Sequence, residues 1–192
     1  MQSIDPRVFD HLAWKTIAAY GVAIDEKEII PAIDKAQHQI RSALPRGVAP
    51  RLPDWLQVWF ELMCWGASSV AFLTKHMPSD DFLEQYRLAL SFAVDRWMAS
   101  MRPSGLLRFI KKHPQQGSWL IAAQQRIALY TSGAEQKPDI SQFWRHLGIA
   151  LSDEAAYPHF ELAVADVGTL LFRLSKWAFD YAWDMNEARE EP

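Results

Sequence analysis

Cysteine is almost absent from this sequence, since Cys64 is the only one among 192 residues. An intrachain disulfide framework, a cysteine-based zinc cluster and a CxxC redox pair are therefore excluded, and we expect Cys64 to pack as a small buried residue. The N-terminal residues also lack a basic region followed by an apolar run. No secretory signal is visible, so we expect a cytoplasmic protein.

Strand signals are nearly absent as well. No segment sustains a clean alternation of apolar and polar residues between turn residues, whereas helix-capping and helix-ending residues are frequent. The sequence therefore predicts an all-α fold, a single irregular bundle of seven or eight helices. A chain of this length can bury about 70% of its unfolded surface, so we expect one domain over residues 1–192, with a frayed tail at 186–192.

Caps, prolines and glycines set the bounds of the predicted helices. The third helix is expected at the centre of the bundle, and the long last helix is expected to pack along it. The second helix is expected to kink at Pro31. The predicted ranges are 6–21, 25–44, 53–76, 79–101, 106–112, 119–131, 140–151 and 158–185.

The stretch Trp55 to Leu73 is apolar and long enough to cross a bilayer. On a helical wheel, its few polar residues nevertheless fall on one line. A helix facing lipid would have no reason to align Gln57 with Glu61, since a charge near the bilayer centre costs about 2.5 to 3.5 kcal/mol. We therefore predict a bundle helix and no membrane span. The polar line should face either water or a buried polar partner, and it consists of Asp54, Gln57, Glu61, Cys64, Ser68 and Lys75.

Small residues are concentrated around Gly66 in the same stretch. A glycine inside a helix costs about 1 kcal/mol relative to alanine, so its presence needs a reason. The absence of bulk at this level predicts that a neighbouring backbone approaches the helix closely.

Catalytic and metal-binding motifs are weak. Residues 80–84 have the DDxxE shape of the magnesium-binding segments of helical prenyl-transfer enzymes, but no second carboxylate set accompanies them, and acids are favoured at a helix N-terminus in any case. Asp34 and His38 lie one helical turn apart, which is typical of a surface hydrogen-bonded pair. With no phosphate loop, no HExxH and no nucleophile motif, the sequence favours a non-catalytic protein without metal or cofactor.

Charge is segregated along the chain. From Arg96 through Ala134 there is no acid, whereas acids predominate from Ser152 onward. The basic segment 96–126 predicts an anionic partner, unless basic and acidic elements neutralise each other within the fold. An alternative function is therefore nucleic-acid binding, or a nuclease in which Arg108 and His113 act on a phosphate. The candidate anion-binding residues are Arg102, Arg108, Lys111, Lys112, His113 and Arg126.

Tryptophan is abundant, with nine residues, and some aromatic residues fall outside the predicted core faces. Trp14 lies nearly opposite the apolar side of the first helix, and Phe92 lies opposite the core stripe of the fourth. On the last helix, Trp177 lies one turn from both Arg173 and Tyr181. Aromatic residues and arginine are enriched at the centres of interfaces. These five residues therefore predict a helical subunit of adaptor, assembly or inhibitor type that binds another protein or itself.

Overall fold

A computed structural model describes residues 6–27, 29–43, 54–74, 80–101, 117–131, 139–151 and 165–187. These ranges contain seven helices, and the all-α prediction is confirmed. The helices are α1 (Pro6–Glu26), α2 (Ile29–Ala43), α3 (Trp55–Leu73), α4 (Asp80–Ser100), α5 (Leu120–Thr131), α6 (Ile140–Leu151) and α7 (Ala165–Glu187).

Helix α3 lies at the centre of the bundle, as the sequence predicted. It contacts α1, α4, α5, α6 and α7, and its residues from Val58 to Ala71 are buried. Among the described residues, α3 is the one helix that is long and apolar enough to cross a membrane, but 78% of its apolar stretch is covered by the rest of the protein. Its burial is that of a core helix, and the described residues contain no clear membrane span.

Helix α1 packs between α4 and α7. It is also longer than the sequence predicted. It does not end at Gly21 but continues to Glu26. Gly21 is buried against α4, where an added Cβ would lie 2.5 Å from Nε1 of Trp97. The glycine allows two helices to approach closely, so its role is packing and not helix termination.

The second helix also differs from its prediction. It begins at Ile29, because residues up to Glu26 belong to α1. Pro31 therefore lies in the first turn of α2, where its missing N–H would have no intrahelical acceptor. The predicted start at residue 25 was wrong, and at this position Pro31 needs no kink to be accommodated.

Gly66 shows why α3 carries a glycine at its centre. An added Cβ would lie 2.2 Å from the Tyr20 ring of α1. The predicted close approach is therefore present, but an aromatic ring makes it and not a backbone.

The last helix packs chiefly against α1 and also contacts α3. Its description begins at Ala165, so the predicted start at 158 lies outside the described residues, as does the predicted short helix 106–112. Helix α7 continues to Glu187, two residues beyond the predicted end at 185.

Candidate interaction surface

Two stacked aromatic rings lie on the outer side of α7. The ring centroids of Trp177 and Tyr181 are 5.6 Å apart and their planes differ by 17°. Trp177 is 49% exposed and Tyr181 is 47% exposed, so water reaches about half of each side chain. Leu171, Leu174, Ala178 and Ala182 anchor the opposite side of the helix in the core. Helical spacing therefore holds the aromatic pair outward on a well-packed element.

Charged side chains flank this aromatic pair along one side of the helix. Arg173 and Lys176 are exposed before the pair, Asp180 is exposed between its two members, and Asp184 is exposed after it. Lys176 and Asp180 form an exposed i,i+4 ion pair. We call the six residues from Arg173 to Asp184 that lie on this side the α7 surface: Arg173, Lys176, Trp177, Asp180, Tyr181 and Asp184.

A second apolar surface lies on α4. Phe92 is exposed, as predicted, and lines a cavity of about 250 Å³ between α1 and α4 together with Phe9 and Leu88. Leu88 also lines a larger groove of about 610 Å³ between α4 and α5, whose other wall includes Ile127. Phe92 therefore lines a cavity together with other apolar residues and is not an isolated exposed ring.

Trp14 does not lie on an open surface, and the sequence expectation is corrected here. It is half-buried and packs against the core, and the guanidinium of Arg96 lies 4.1 Å from its ring centroid. The reason is the position of α1 between α4 and α7, which covers more of α1 than a wheel with one buried side allows. In the free chain, Trp14 has an intramolecular cation–π partner.

The predicted anion-binding residues are mostly outside the described residues, namely Arg102, Arg108, Lys111, Lys112 and His113. Arg126 is described. Its Nε lies 3.1 Å from Oε2 of Glu61, and its side chain is 22% exposed. Its guanidinium is ion-paired to a buried carboxylate, which favours a role within the fold over binding of an external anion.

Glu61 is the centre of a buried polar cluster that joins α3 to α5. Its side chain is only 1% exposed. Gln57 Nε2 donates to Oε1 at 2.6 Å, and the Tyr130 hydroxyl donates to Oε2 at 2.5 Å, while Arg126 completes the set. The polar line on α3 therefore meets a buried partner and not water, which resolves the choice that the sequence left open.

Burial dominates the electrostatics of this cluster. It raises the pKa of the Glu61 carboxyl, while Arg126, Tyr130 and Gln57 each lower that pKa. Burial also raises the pKa of the Cys64 thiol well above its ordinary value, so Cys64 is an unreactive core residue, as predicted. The pKa of His146 falls to about 4 through burial and the nearby Arg126 and Arg145. His146 is therefore neutral at pH 7.

The residue types of this cluster occur in acid–base sites, but its geometry is that of a buried network of hydrogen bonds that holds α3 and α5 together. The carboxylate is enclosed and all of its partners belong to the chain. The cavities on α4 are lined by other residues, since neither of them includes Gln57, Glu61, Arg126 or Tyr130. Among the described residues, no group of three or more His, Cys, Asp or Glu side chains could hold a metal ion.

Asp34 and His38 form the predicted surface pair. His38 Nδ1 lies 2.9 Å from the backbone oxygen of Asp34 and 3.6 Å from its carboxylate, and both side chains are substantially exposed.

Sequence reasoning missed Asp95, which is buried on α4. Its carboxylate accepts hydrogen bonds from the backbone N–H groups of Gly117 and Trp119, at 2.6 and 2.9 Å. It thereby satisfies donors at the start of α5 and ties α4 to α5. Its partners lie 22 and 24 residues further along the chain, so no local spacing could have revealed the contact.

No protein-family model, no curated protein and no solved structure matches this chain. Any assignment of function therefore depends on the geometry of the chain itself.

Proposed function

We propose that the chain is a non-catalytic helical interaction subunit that binds a protein partner through the α7 surface. The observation that carries this proposal is the stacked and half-exposed Trp177–Tyr181 pair, held outward on a helix whose other side is buried. Large aromatic side chains bury much area on binding and lose little conformational entropy, so they are typical of interface centres.

The charges around the pair favour a protein partner. Arg173, Lys176, Asp180 and Asp184 carry both signs within about three helical turns. Charged and polar residues beside an apolar centre are common in specific protein interfaces. A nucleic acid would instead favour a surface of uniform positive charge.

A non-catalytic role is favoured by the surroundings of the buried Glu61 carboxylate. Glu61 is enclosed by Gln57, Tyr130 and Arg126, and these contacts leave its carboxylate no open side for a substrate. A cytoplasmic location is part of the proposal and is supported by the burial of α3 and by the single, buried Cys64.

Photo-crosslinking from the α7 surface tests the proposal. A photoreactive phenylalanine analogue replaces Tyr181 in the full chain, which is expressed in its native cell, and the matched control carries the analogue at the exposed Gln125 of α5. We expect irradiation to give a discrete protein adduct from position 181 and none from position 125. The adduct should weaken when Trp177→Ala is added.

Equal or absent adducts at the two positions would overturn the proposal, provided that both chains have the circular dichroism of the wild type.

A further inference from the structure

The order of the charges along the α7 surface indicates which partner would bind it. Two bases, Arg173 and Lys176, precede the centre of the surface, and two acids, Asp180 and Asp184, follow it. From Arg173 to Asp184, the surface is about 17 Å long. Its N-terminal half is therefore basic and its C-terminal half is acidic.

Such a surface is complementary to itself when a second copy runs antiparallel. A two-fold axis near Ala178 places Arg173 at about the same height along the helix axis as Asp184 of the second copy. It places Lys176 at the same height as Asp180 of the second copy. On the helical wheel, all four charges lie to one side of Trp177, and a two-fold axis in the interface keeps them on the same side. Bases then face acids, whereas a parallel arrangement would place like charges together.

The aromatic pair completes the match. Trp177 and Tyr181 lie one turn apart on either side of the level of Ala178, so the antiparallel arrangement brings Trp177 of one copy within about 3 Å of Tyr181 of the other along the helix axis. The central contact is then aromatic and the flanking contacts are ionic. Lys176 and Asp180 pair with each other in the isolated chain, but this exposed pair can exchange for the equivalent intermolecular pair.

We propose that the α7 surface binds a second copy of this chain in an antiparallel, two-fold arrangement centred near Ala178. This inference rests on the proposed function and specifies its partner. A contact made by one helix is small, so we expect a reversible dimer with a Kd in the micromolar range.

Charge exchange tests the dimer in the full-length chain. One variant carries Arg173→Asp with Lys176→Asp, and the other carries Asp180→Lys with Asp184→Lys. By sedimentation velocity at low salt, we expect the wild type to dimerise and each variant alone to bind itself at least about tenfold more weakly, because like charges then face each other. An equimolar mixture of the two variants should recover the dimer.

Matched controls make charge changes of the same size outside the α7 surface. Lys27→Asp with Lys35→Asp and Asp25→Lys with Glu26→Lys alter exposed residues on and near α1 and α2, and both should dimerise like the wild type. A variant with all four α7 exchanges keeps the net charge and the complementarity, so it should dimerise as well. Circular dichroism checks that each variant is folded. If a double variant does not fold, the variant with all four exchanges still tests the dimer.

A wild type that stays monomeric at 100 micromolar, or a mixture that does not recover the dimer, would overturn the inference. The proposed function would survive that result if position 181 still crosslinks to a different protein. The chain could instead dimerise in sedimentation while position 181 gives no adduct in the cell. That result would support self-association and contradict the proposed interaction role in the cell.

Discussion

Glu61 shows how a single buried carboxylate is stabilised. Burial removes its hydration, and three donors from the same chain replace it: Gln57, Tyr130 and Arg126. Removing one member of such a cluster destabilises the fold more than replacing all of its members by apolar residues, because the remaining polar groups stay buried without a partner.

The Glu61→Leu substitution should therefore destabilise the fold strongly. Arg126 would lose its ionic partner and the Tyr130 hydroxyl its acceptor, at an expected cost of about 3 to 5 kcal/mol in the free energy of unfolding. Urea denaturation measures this cost, and Glu26→Leu at the exposed end of α1 is the control, with an expected change below about 0.5 kcal/mol. Equal costs for the two variants would mean that the cluster contributes nothing to stability.

His146 should make the stability of the fold depend on pH. Its pKa is about 4 in the folded protein and 6.5 in its unperturbed state, so the unfolded chain binds more protons between these values. Its contribution is complete above pH 6.5 and is lost as the pH falls toward 4. Glu61, whose pKa is raised, acts in the opposite direction.

The measurement is the difference in unfolding free energy between the wild type and His146→Gln at several pH values. We expect the variant to lose less stability between pH 7 and pH 4.5, since it has no imidazole to protonate in the unfolded chain. Parallel pH profiles for the two proteins would rule out the low folded pKa of His146.

At the scale of elements, helices α1, α3 and α4 approach one another through positions that carry no side chain. Gly66 admits the Tyr20 ring between α3 and α1, and Gly21 admits the Trp97 ring between α1 and α4. The Tyr20 ring belongs to the buried core and the Trp97 ring packs against it, so neither ring can move aside freely. These contacts explain how α1 fits closely between its neighbours.

The Gly66→Ala substitution should destabilise the protein although alanine is the better helix former. The new Cβ would lie 2.2 Å from the buried Tyr20 ring, and overpacking of this kind costs about 1 to 3 kcal/mol. Thermal unfolding of Ser69→Ala in the same helix is the control. The Ser69 hydroxyl is buried without a hydrogen-bond partner in the described chain, so its loss should be neutral or stabilising. An unchanged melting temperature for Gly66→Ala would show that the ring relaxes without cost.

At the scale of the whole molecule, the two described bases of the segment 96–126 both have intramolecular partners. Arg126 is paired with Glu61, and Arg96 lies over the uncharged Trp14 ring. The charge of Arg126 is therefore compensated within the fold, whereas that of Arg96 is not.

We therefore expect no retardation of DNA or RNA by micromolar protein at 50 mM salt. The net charge of −3 opposes binding to a polyanion, and the described bases are engaged. An electrophoretic mobility assay with single- and double-stranded probes measures this. Retardation that weakens steeply with salt, and that is lost in Arg108→Ala/Lys111→Ala/Lys112→Ala but not in Lys27→Ala/Lys35→Ala, would restore the nucleic-acid hypothesis.

The sequence by itself determined the fold class, the central position of α3 and the outward position of Trp177 and Tyr181. These properties follow from local periodicity, because a helix with one polar line or one buried side shows that pattern in its own residues. The same periodicity identified the aligned Gln57 and Glu61, but it could not distinguish a partner from water.

Only the tertiary structure decided which residues complete each contact. Tyr130 and Arg126 reach Glu61 from a different helix, Trp14 is covered by Arg96 of α4, and Gly21 lies under Trp97 instead of ending α1. A helical wheel treats each helix as if it had one buried side. Helices that pack between neighbours have two, and which neighbours cover them depends on contacts between residues far apart in the chain.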